Sequence, residues 1–451
     1  MNSTRFIERV FQKFIPSPFV IAVVLTFATI LLALILTNNP TEGLYLFTIL
    51  DYWESGIWNV NLLVFGYQMM LILVLGHVLV LSKPVSQLIN KITPYAHDTK
   101  SAVLLVSIST MLVSFFNWGL GLIFGAIIVR KIAEAAQERN FGINYPLVGA
   151  SGYVGLMIWH SGMSGSAPLK VAETNHLKTL MTGISDPEIL TQLPSKITDG
   201  QTIFSWWNLL LFVILMAVVP FTFCLLAKKS KVTQLPKFTI SKEDEKSDTF
   251  ERLDDSKLLG LTFAGILILT FFIKYFGKTL SPNMINFLLL GLCILFHGNF
   301  KRFLKAVEHA IGGASGILIQ FPLYFGIMGI MSSTGMVTLI SDAFVNIATE
   351  TTLPIFTFFS AGLVNIFVPS GGGQWAIQGP IVIESALQLR VPLPKAIMAL
   401  AYGDQITNML QPFWALPLLG ITQLKAKEIL PYTLLIMLVG SAVYILGLLF
   451  L

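Results

Sequence analysis

The sequence predicts an all-α polytopic membrane protein, organised as an inverted-topology repeat with two re-entrant hairpins, two broken transmembrane helices and about nine full spans. Three observations support this prediction: the apolar composition, the distribution of Lys and Arg among the loops, and two sets of uncharged stretches in matching order. Of the 451 residues, 54% are apolar and only 12% are charged, whereas a soluble globular chain carries about 25% charged residues. An ordinary soluble enzyme is therefore excluded.

Charge and cysteine content exclude further classes. The net charge of +5 reports loop topology in a membrane protein and implies no nucleic-acid partner. Cys224 and Cys293 lie within apolar runs and lack metal-ligand spacing, which argues against a disulfide framework or a zinc site. A Gly-rich phosphate loop ending in Gly-Lys-Ser/Thr is absent from the sequence, so direct use of ATP is not expected. We predict no cofactor apart from a coupling ion, and the residues leave any other metal undecided.

The chain begins with a basic segment that orients it in the membrane. Residues 1–17 contain Arg5, Arg9 and Lys13 and predict a cytoplasmic amphipathic helix on the membrane surface. The apolar run that follows is about 20 residues long, enough to cross a bilayer, and it lacks a small-residue cleavage site. It is expected to remain as the first span, with the N-terminus in the cytoplasm.

Apolar runs of membrane-spanning length recur along the rest of the chain. Full spans are predicted at 18–37, 60–82, 145–167, 203–227, 258–276, 282–298, 311–332, 394–420 and 432–450. Two further uncharged stretches, 101–129 and 354–383, are too long for one upright helix. Asn117-Trp118-Gly119-Leu120-Gly121 interrupts the first stretch, and Val368-Pro369-Ser370-Gly371-Gly372-Gly373-Gln374 interrupts the second. Gly and Pro weaken a helix at these points, so each stretch is either a re-entrant hairpin or a broken span.

The positive charges decide between these alternatives, because cytoplasmic loops carry the excess of Lys and Arg. If both stretches are hairpins, 22 of the 29 Lys and Arg residues lie on the cytoplasmic side. If both cross the membrane, only 13 lie there and 16 lie outside. The charges therefore favour two hairpins, nine spans, a cytoplasmic N-terminus and an external C-terminus.

With this topology the chain divides into two copies of one plan. Residues 18–227 form the first transmembrane repeat, residues 282–451 the second inverted repeat, 228–257 a charged cytoplasmic linker and 258–276 an extra inverting span. The spacing supports the match, since Tyr153 to Pro168 and Tyr402 to Pro417 are both 15 residues apart. An inverted repeat with interrupted helices at corresponding places indicates a secondary transporter that binds its substrate between the halves.

Polar residues within the predicted membrane region cluster at the breaks. Unwound backbone in a membrane is tolerated only where it is buried in protein or lines a polar cavity, so these residues are the candidate site. The predicted substrate-binding residues are Asn117, Ser164, Ser166, Asn365, Ser370, Gly371, Gly372, Gly373, Gln374, Gln378 and Gln411. Asp404 is the one acid deep in a predicted span, and a buried carboxylate needs a cation, a proton or hydrogen bonds. Asp404 and Asn408 are therefore the predicted coupling-ion site, for H+ or Na+.

Several of these residues also allow a purely structural interpretation. Ser and Gly let membrane helices pack closely, although three consecutive glycines disrupt a helix. Arg130 is interpreted as a positive-inside anchor, and His77 and His160 as packing residues. An intramembrane enzyme using Ser161, His160 and Asp404 is disfavoured, because adjacent residues point differently on a helix. We predict no enzymatic activity. A facilitator or channel for other small organic anions stays as the alternative to a symporter.

At these breaks the sequence resembles the bacterial short-chain fatty acid transporters. The resemblance covers nearly the whole chain. It is carried by Phe115-Phe116-Asn117-Trp118-Gly119-Leu120-Gly121, Ser164-Gly165-Ser166-Ala167-Pro168-Leu169, Val368-Pro369-Ser370-Gly371-Gly372-Gly373-Gln374-Trp375-Ala376-Ile377-Gln378-Gly379-Pro380, Ala401-Tyr402-Gly403-Asp404-Gln405, Asn408-Met409 and Gln411-Pro412-Phe413-Trp414-Ala415-Leu416-Pro417.

The resemblance implies a function, a partner and a location. It implies uptake of small monocarboxylates such as butyrate and acetoacetate through the bacterial cytoplasmic (inner) membrane. It also implies a fold similar to the larger ion-transporter superfamily, in which a homodimer is plausible. The leading hypothesis is a secondary active, cation-coupled symporter of short-chain fatty acids, with the lipid bilayer as its surroundings.

Overall fold

The computed structural model describes residues 17–40, 42–181, 191–236, 253–275 and 282–451, and all regular structure in these ranges is helical. The predicted N-terminal amphipathic helix lies almost entirely outside the described residues, as does the middle of the predicted linker. The all-α polytopic fold class is confirmed. The elements up to Tyr275 are helices Pro18–Leu36, Tyr45–Ile57, Val60–Leu81, Lys83–Ile92, Thr99–Phe116, Trp118–Glu138, Tyr145–Ser151, Ser166–Ala172, His176–Met181, Trp206–Lys229 and Lys257–Tyr275, with short 3-10 turns at Thr93–Tyr95, Val154–Met157 and Asp199–Gln201.

The second half has a closely similar series. Its helices are Pro282–His297, Phe300–Ile311, Ser315–Ser333, Met336–Val345, Leu353–Phe367, Gly371–Gln388, Leu393–Thr407, Pro412–Thr422 and Ala426–Phe450, with 3-10 turns at Gly312–Ala314 and Asn408–Leu410. Each half therefore has a span, a shorter helix, a second span, another short helix, a helical hairpin, a helix interrupted by a 3-10 turn, and a final long span. The exact repeat boundaries stay a prediction.

Seven helices in the described ranges are long and apolar enough to cross a membrane, or eight if one bent pair is counted as a span. The prediction was about nine, and the difference has a structural reason. The spans predicted at 145–167 and 394–420 consist of short pieces, and Pro282–His297 has only 16 residues before a 120° bend into Phe300–Ile311. Conversely, Thr99–Phe116 has 18 residues and is long enough to span, although the sequence assigned it to a hairpin.

The peripheral helices expose their apolar side chains. In Pro18–Leu36, Phe27 and Ile35 are each 67% exposed, and in Lys257–Tyr275 the exposed fraction of Ile273 is 76%. Apolar area left in water would cost roughly 25 cal/mol per Å², so these faces suit hydrocarbon. Many buried polar groups, among them Asn117, His160, Asn365 and Asp404, lie where the interrupted helices meet the hairpins.

Both predicted hairpin breaks are present, and each is stabilised by a side-chain cap. At the first, Asn117 has extended backbone, and its Oδ1 accepts a hydrogen bond from the Leu120 amide at 3.0 Å. At the second, Ser370 has extended backbone, and its Oγ accepts from the Gly373 amide at 3.3 Å. Such caps satisfy amides that have no partner in the first turn of a helix. We call Thr99–Phe116 with Trp118–Glu138 the first hairpin, and Leu353–Phe367 with Gly371–Gln388 the second hairpin.

Candidate functional site

The candidate site is built around the unwound segment 158–165, here called the first break, which interrupts the first broken span. The tip of the first hairpin binds to it directly. The Trp118 amide donates to Ser164 Oγ at 3.0 Å, and the Met163 amide donates to the Phe115 carbonyl at 2.7 Å. The first break and the tip of the first hairpin thereby satisfy each other's backbone groups, as a membrane interior requires.

The tip of the second hairpin packs against the same break. A Cβ atom placed on Gly371 would lie 2.8 Å from Trp159 Cη2, 2.9 Å from His160 Cε1 and 3.2 Å from Asp404 Oδ2. These distances leave no room for a side chain, so only glycine allows this close approach. Gly372 is exposed beside Ser166, whose Oγ would lie 3.8 Å from an added Cβ. The first break therefore lies between the two hairpin tips.

His160 and Asp404 form a fully buried pair that joins the two halves. His160 is 0% exposed and Asp404 is 1% exposed, and His160 Nδ1 is hydrogen-bonded to Asp404 Oδ2. His160 Nε2 accepts a hydrogen bond from the Ala167 amide at 3.0 Å. This places the ring hydrogen on Nδ1, so the imidazole donates and the carboxylate accepts. Trp159 stacks on the His160 ring with centroids 4.6 Å apart.

Gln405, from the other half of the chain, forms hydrogen bonds with the backbone amides of the first break. Its Oε1 accepts from the His160 amide at 2.8 Å and from the Ser161 amide at 3.0 Å. Its Nε2 donates to Ser161 Oγ at 3.1 Å and to the Tyr444 hydroxyl at 2.8 Å. One side chain thus satisfies two amides that the unwinding leaves without helical partners.

The second broken span is interrupted at 408–411, here called the second break, and a dense polar network holds it. Asn365 Nδ2 donates to the Asp404 carbonyl at 2.6 Å and to Asn408 Oδ1 at 2.8 Å, and the Asn365 carbonyl accepts from Gln411 Nε2. The Tyr153 hydroxyl reaches across from the first half, 2.8 Å from the Asn408 carbonyl and 3.0 Å from the Gln411 carbonyl. The two broken spans are therefore hydrogen-bonded to each other.

Gln374 and Gln378 lie within the second hairpin, on the side that faces its other helix. Gln374 Nε2 donates to the Ala361 carbonyl at 2.9 Å and to Gln378 Oε1 at 2.7 Å, and both side chains are 0% exposed. Their described bonds hold the hairpin together. Gln374 Oε1 is buried without a partner in the described structure.

Aromatic rings form a cluster beside the first break. They come from the tip of the first hairpin, the first break, the helix Pro412–Thr422 that follows the second break, and the spans Val60–Leu81 and Ser315–Ser333. The members are Phe65, Trp118, Trp159, Phe321, Tyr324, Phe413 and Trp414, with neighbouring ring centroids 3.9–6.3 Å apart. The Trp159 and Trp414 Nε1 groups and the Tyr324 hydroxyl are buried without a hydrogen-bond partner in the described structure. Buried donors in this state favour a polar ligand or ordered water.

The structure brings the predicted residues together in three groups. The first group is Asn117 with Ser164. The second is Ser166 and Gly372 with Gly371 and Asp404, and the third is Asn365 with Asn408 and Gln411. Gln374 and Gln378 are set apart within the second hairpin. The sequence interpretation missed the roles of His160 and Gln405, because each acts through a partner about 244 positions away. The aromatic cluster was also missed, although its Trp residues flank the polar motifs.

Arg130 lies away from the hairpin tips. Its Nη1 contacts His77 Nε2 at 2.9 Å and donates to the Ile421 carbonyl at 3.2 Å, and its Nε pairs with Glu134 at 3.0 Å. Arg130 therefore ties the far end of the first hairpin to the end of the second broken span. Ser161 is not arranged as a nucleophile, since its hydroxyl lies 3.1 Å from the Ile158 carbonyl and bonds Gln405. Among the described residues, no group of three or more His, Cys, Asp and Glu side chains could hold a metal ion.

Comparison with known proteins identifies related sequences over the full length. A family model described as "Short chain fatty acid transporter" matches residues 1–451. Two relatives, both named "Putative short-chain fatty acid transporter", are each 35% identical to this chain. The protein from Escherichia coli K12 aligns over 99% of this chain and 98% of its own length, and that from Haemophilus influenzae over 99% of both. The solved structure of the Alcanivorax borkumensis YdaH transporter is 16% identical, covers 96% of this chain and 97% of its own, and has a TM-score of 0.43, too low to support an argument.

Proposed function

We propose that this chain, which belongs to the short-chain fatty acid transporter family, is a cation-coupled symporter. Its proposed substrates are small monocarboxylates such as butyrate and acetoacetate. The observation that carries this proposal is the meeting of both hairpin tips at the first break, next to a buried carboxylate. Transporters of this kind bind substrate and coupling ion at interrupted helices. The protein is a multi-pass membrane transporter, not an enzyme.

The substrate carboxylate is assigned to the tip of the second hairpin and the serines opposite it. Helix Gly371–Gln388 starts there with three consecutive glycines, and backbone amides at a helix start favour an anion. Ser164 and Ser166 are only half-buried on the facing break, so their hydroxyls can turn to a ligand. Asn117 caps the opposite hairpin and fixes the position of that side of the site.

The aliphatic part of the substrate is assigned to the aromatic cluster. A chain of a few carbons gains about 0.8 kcal/mol for each CH2 group that it buries, which suits a small apolar surface. The unpaired indole N–H groups of Trp159 and Trp414 and the Tyr324 hydroxyl provide donors for a keto or carboxylate oxygen. This combination of aromatic rings with neutral donors suits a short carboxylate better than a large polar solute.

The coupling cation is assigned to Asp404, with Asn408 beside it. An ionised carboxylate in a membrane interior is costly without a cation or proton, so its charge provides a reason for coupling. The 22 to 7 division of Lys and Arg supports a cytoplasmic N-terminus, and we place the protein in a bacterial inner membrane, as the family resemblance implies. A homodimer is part of the proposal, as the resemblance described from the sequence implies.

The proposal is tested with purified protein in liposomes supplied with labelled acetoacetate or butyrate. Proton and sodium gradients are imposed separately, and protein-free liposomes are measured in parallel because the neutral acids cross bilayers unaided. Ser370→Ala and Asp404→Asn variants that remain folded are expected to lose most uptake. Equilibration without accumulation would favour the alternative, a facilitator or channel, and unchanged uptake in both variants would overturn the site assignment.

A further inference from the structure

We infer that His160 and Asp404 together form a proton-binding site that couples transport, in which Asp404 accepts the proton and His160 holds the accepting carboxylate in place. This inference rests on the proposed symport function and specifies its coupling ion. From the sequence alone, His160 was interpreted as a packing residue. Its position between Asp404 and the tip of the second hairpin gives it a positioning role instead.

The hydrogen bonds of the pair determine where a proton can be added. His160 Nε2 accepts from the Ala167 amide, so that nitrogen has no free lone pair, and Nδ1 carries the ring hydrogen toward Asp404 Oδ2. The imidazole is neutral in this arrangement and the carboxylate carries one negative charge. One added proton converts the carboxylate to the acid, with no other bond made or broken except hydrogen bonds. Release of this proton to the cytoplasm restores the charged carboxylate beside the neutral imidazole.

The surroundings leave this charge without another ionic partner. In the part of the chain that the structure describes, Asp404 is paired with His160 and with no lysine or arginine. The elements packed around the pair carry other titratable side chains, none of which has a described ion pair or hydrogen bond with His160 or Asp404. They are Tyr153, Tyr402, Tyr432 and Tyr444, together with Lys170, Glu173, Glu384, Lys395, Lys427 and Glu428, of which Lys170 and Glu173 form an exposed ion pair at 2.9 Å. A proton is therefore the most direct way to neutralise the site.

The oxygens next to Asp404 are less suited to sodium. Asn408 Oδ1 accepts from Asn365 Nδ2 at 2.8 Å, and the Asn408 carbonyl accepts from the Tyr153 hydroxyl at 2.8 Å. The Asp404 carbonyl likewise accepts from Asn365 at 2.6 Å. A metal cation needs several oxygens that face it together, and here those oxygens face donors. A proton needs only one lone pair of the carboxylate.

The same geometry links the proton to the substrate. Asp404 Oδ2 would lie 3.2 Å from a Cβ on Gly371, which is the first residue of the helix that we assign to the substrate carboxylate. Two neighbouring carboxylates repel each other, so an anion bound at the helix start and a charged Asp404 oppose each other's presence, whereas an anion and a proton can occupy the site together. One substrate anion and one proton then move together, and the transported charge is zero.

The test separates coupling from substrate binding in liposomes that contain a trapped pH indicator. Exchange of labelled for unlabelled acetoacetate without gradients reports binding and movement of the substrate site, whereas pH-driven accumulation and substrate-induced internal acidification report proton movement. Asp404→Asn is expected to reduce accumulation about tenfold more than exchange. His160→Gln is expected to shift the pH dependence of accumulation, and His97→Gln, at an exposed position outside the site, is the matched control.

Three results would overturn this inference. They are a wild-type protein driven by sodium and not by protons, an Asp404→Asn variant that acidifies the liposomes faster than protein-free liposomes when substrate is added, and a His160→Gln variant whose pH dependence matches that of the His97→Gln control. If instead the wild type shows no exchange, the proposed function itself fails. The sodium comparison uses wild-type protein, so it decides even if a variant does not fold.

Discussion

The close approach of Gly371 to the His160–Asp404 pair yields a quantitative prediction for a single added methyl group. Gly371→Ala would place its Cβ 2.8 Å from Trp159 Cη2 and 2.9 Å from His160 Cε1. Neither ring can move easily, because His160 is fixed through both nitrogens and Trp159 is stacked on it. Overpacking of this kind costs about 1–3 kcal/mol, which corresponds to about a 5- to 150-fold fall in the equilibrium constant for folding.

Gly372→Ala is the matched control for this change. Its added Cβ would lie 3.8 Å from Ser166 Oγ, an ordinary contact, and both substitutions have a similar effect on helix propensity. The thermal unfolding midpoint is measured for both purified variants, because both glycines belong to the proposed substrate site and uptake would not isolate the packing effect. Gly371→Ala is expected to lower the midpoint well below that of Gly372→Ala. Equal values for the two variants would refute the packing of the hairpin tip against the pair.

Three further predictions test separate parts of the structure. Gln405→Met should lower the thermal unfolding midpoint much more than Gln388→Met at an exposed position, because it leaves two buried amides unpaired at about 1–3 kcal/mol each; similar midpoints would contradict the role of Gln405. Trp414→Phe keeps an aromatic ring and removes an N–H without a protein partner, so we expect little change in the unfolding midpoint but weaker acetoacetate binding in an exchange assay. Burial lowers the pKa of His176, whose Nε2 accepts from Trp375 Nε1 at 3.0 Å. The stability that this neutral histidine contributes is therefore present above the pKa of about 6.5 that it has in the unfolded chain, and it is lost as the pH falls below that value. The unfolding midpoint of the wild type should therefore fall more between pH 7.5 and pH 5 than that of His176→Gln, and parallel profiles would contradict this.

The interruptions of the helices could be predicted from local chemistry. Asn117 and Ser370 sit at the breaks because their side chains cap the helix that follows, and glycines and a proline disfavour continuation of the helix before them. The long apolar runs likewise predicted the main spans from local composition alone. Helix Tyr45–Ile57 was missed, since Asp51 and Glu54 make this stretch look like a loop.

The pairing inside the site could not be predicted, because it depends on how distant segments pack. Nothing near His160 in the sequence indicates that Asp404 is its partner, and the Ala167 amide becomes a donor to the ring only after the chain unwinds between them. Gln405 likewise looks like an ordinary polar neighbour of Asp404 until the first break is placed against it. Through-space contacts of this kind require the packed structure.

The most direct test of the central claim is the accumulation of labelled acetoacetate in proteoliposomes against its own concentration gradient. Protein-free liposomes correct for the neutral acid that crosses the bilayer unaided. We expect that an inward proton gradient raises internal acetoacetate above the external concentration, and that collapse of the gradient returns it to equality. Protein-dependent uptake that only equilibrates under both proton and sodium gradients would contradict a cation-coupled symporter.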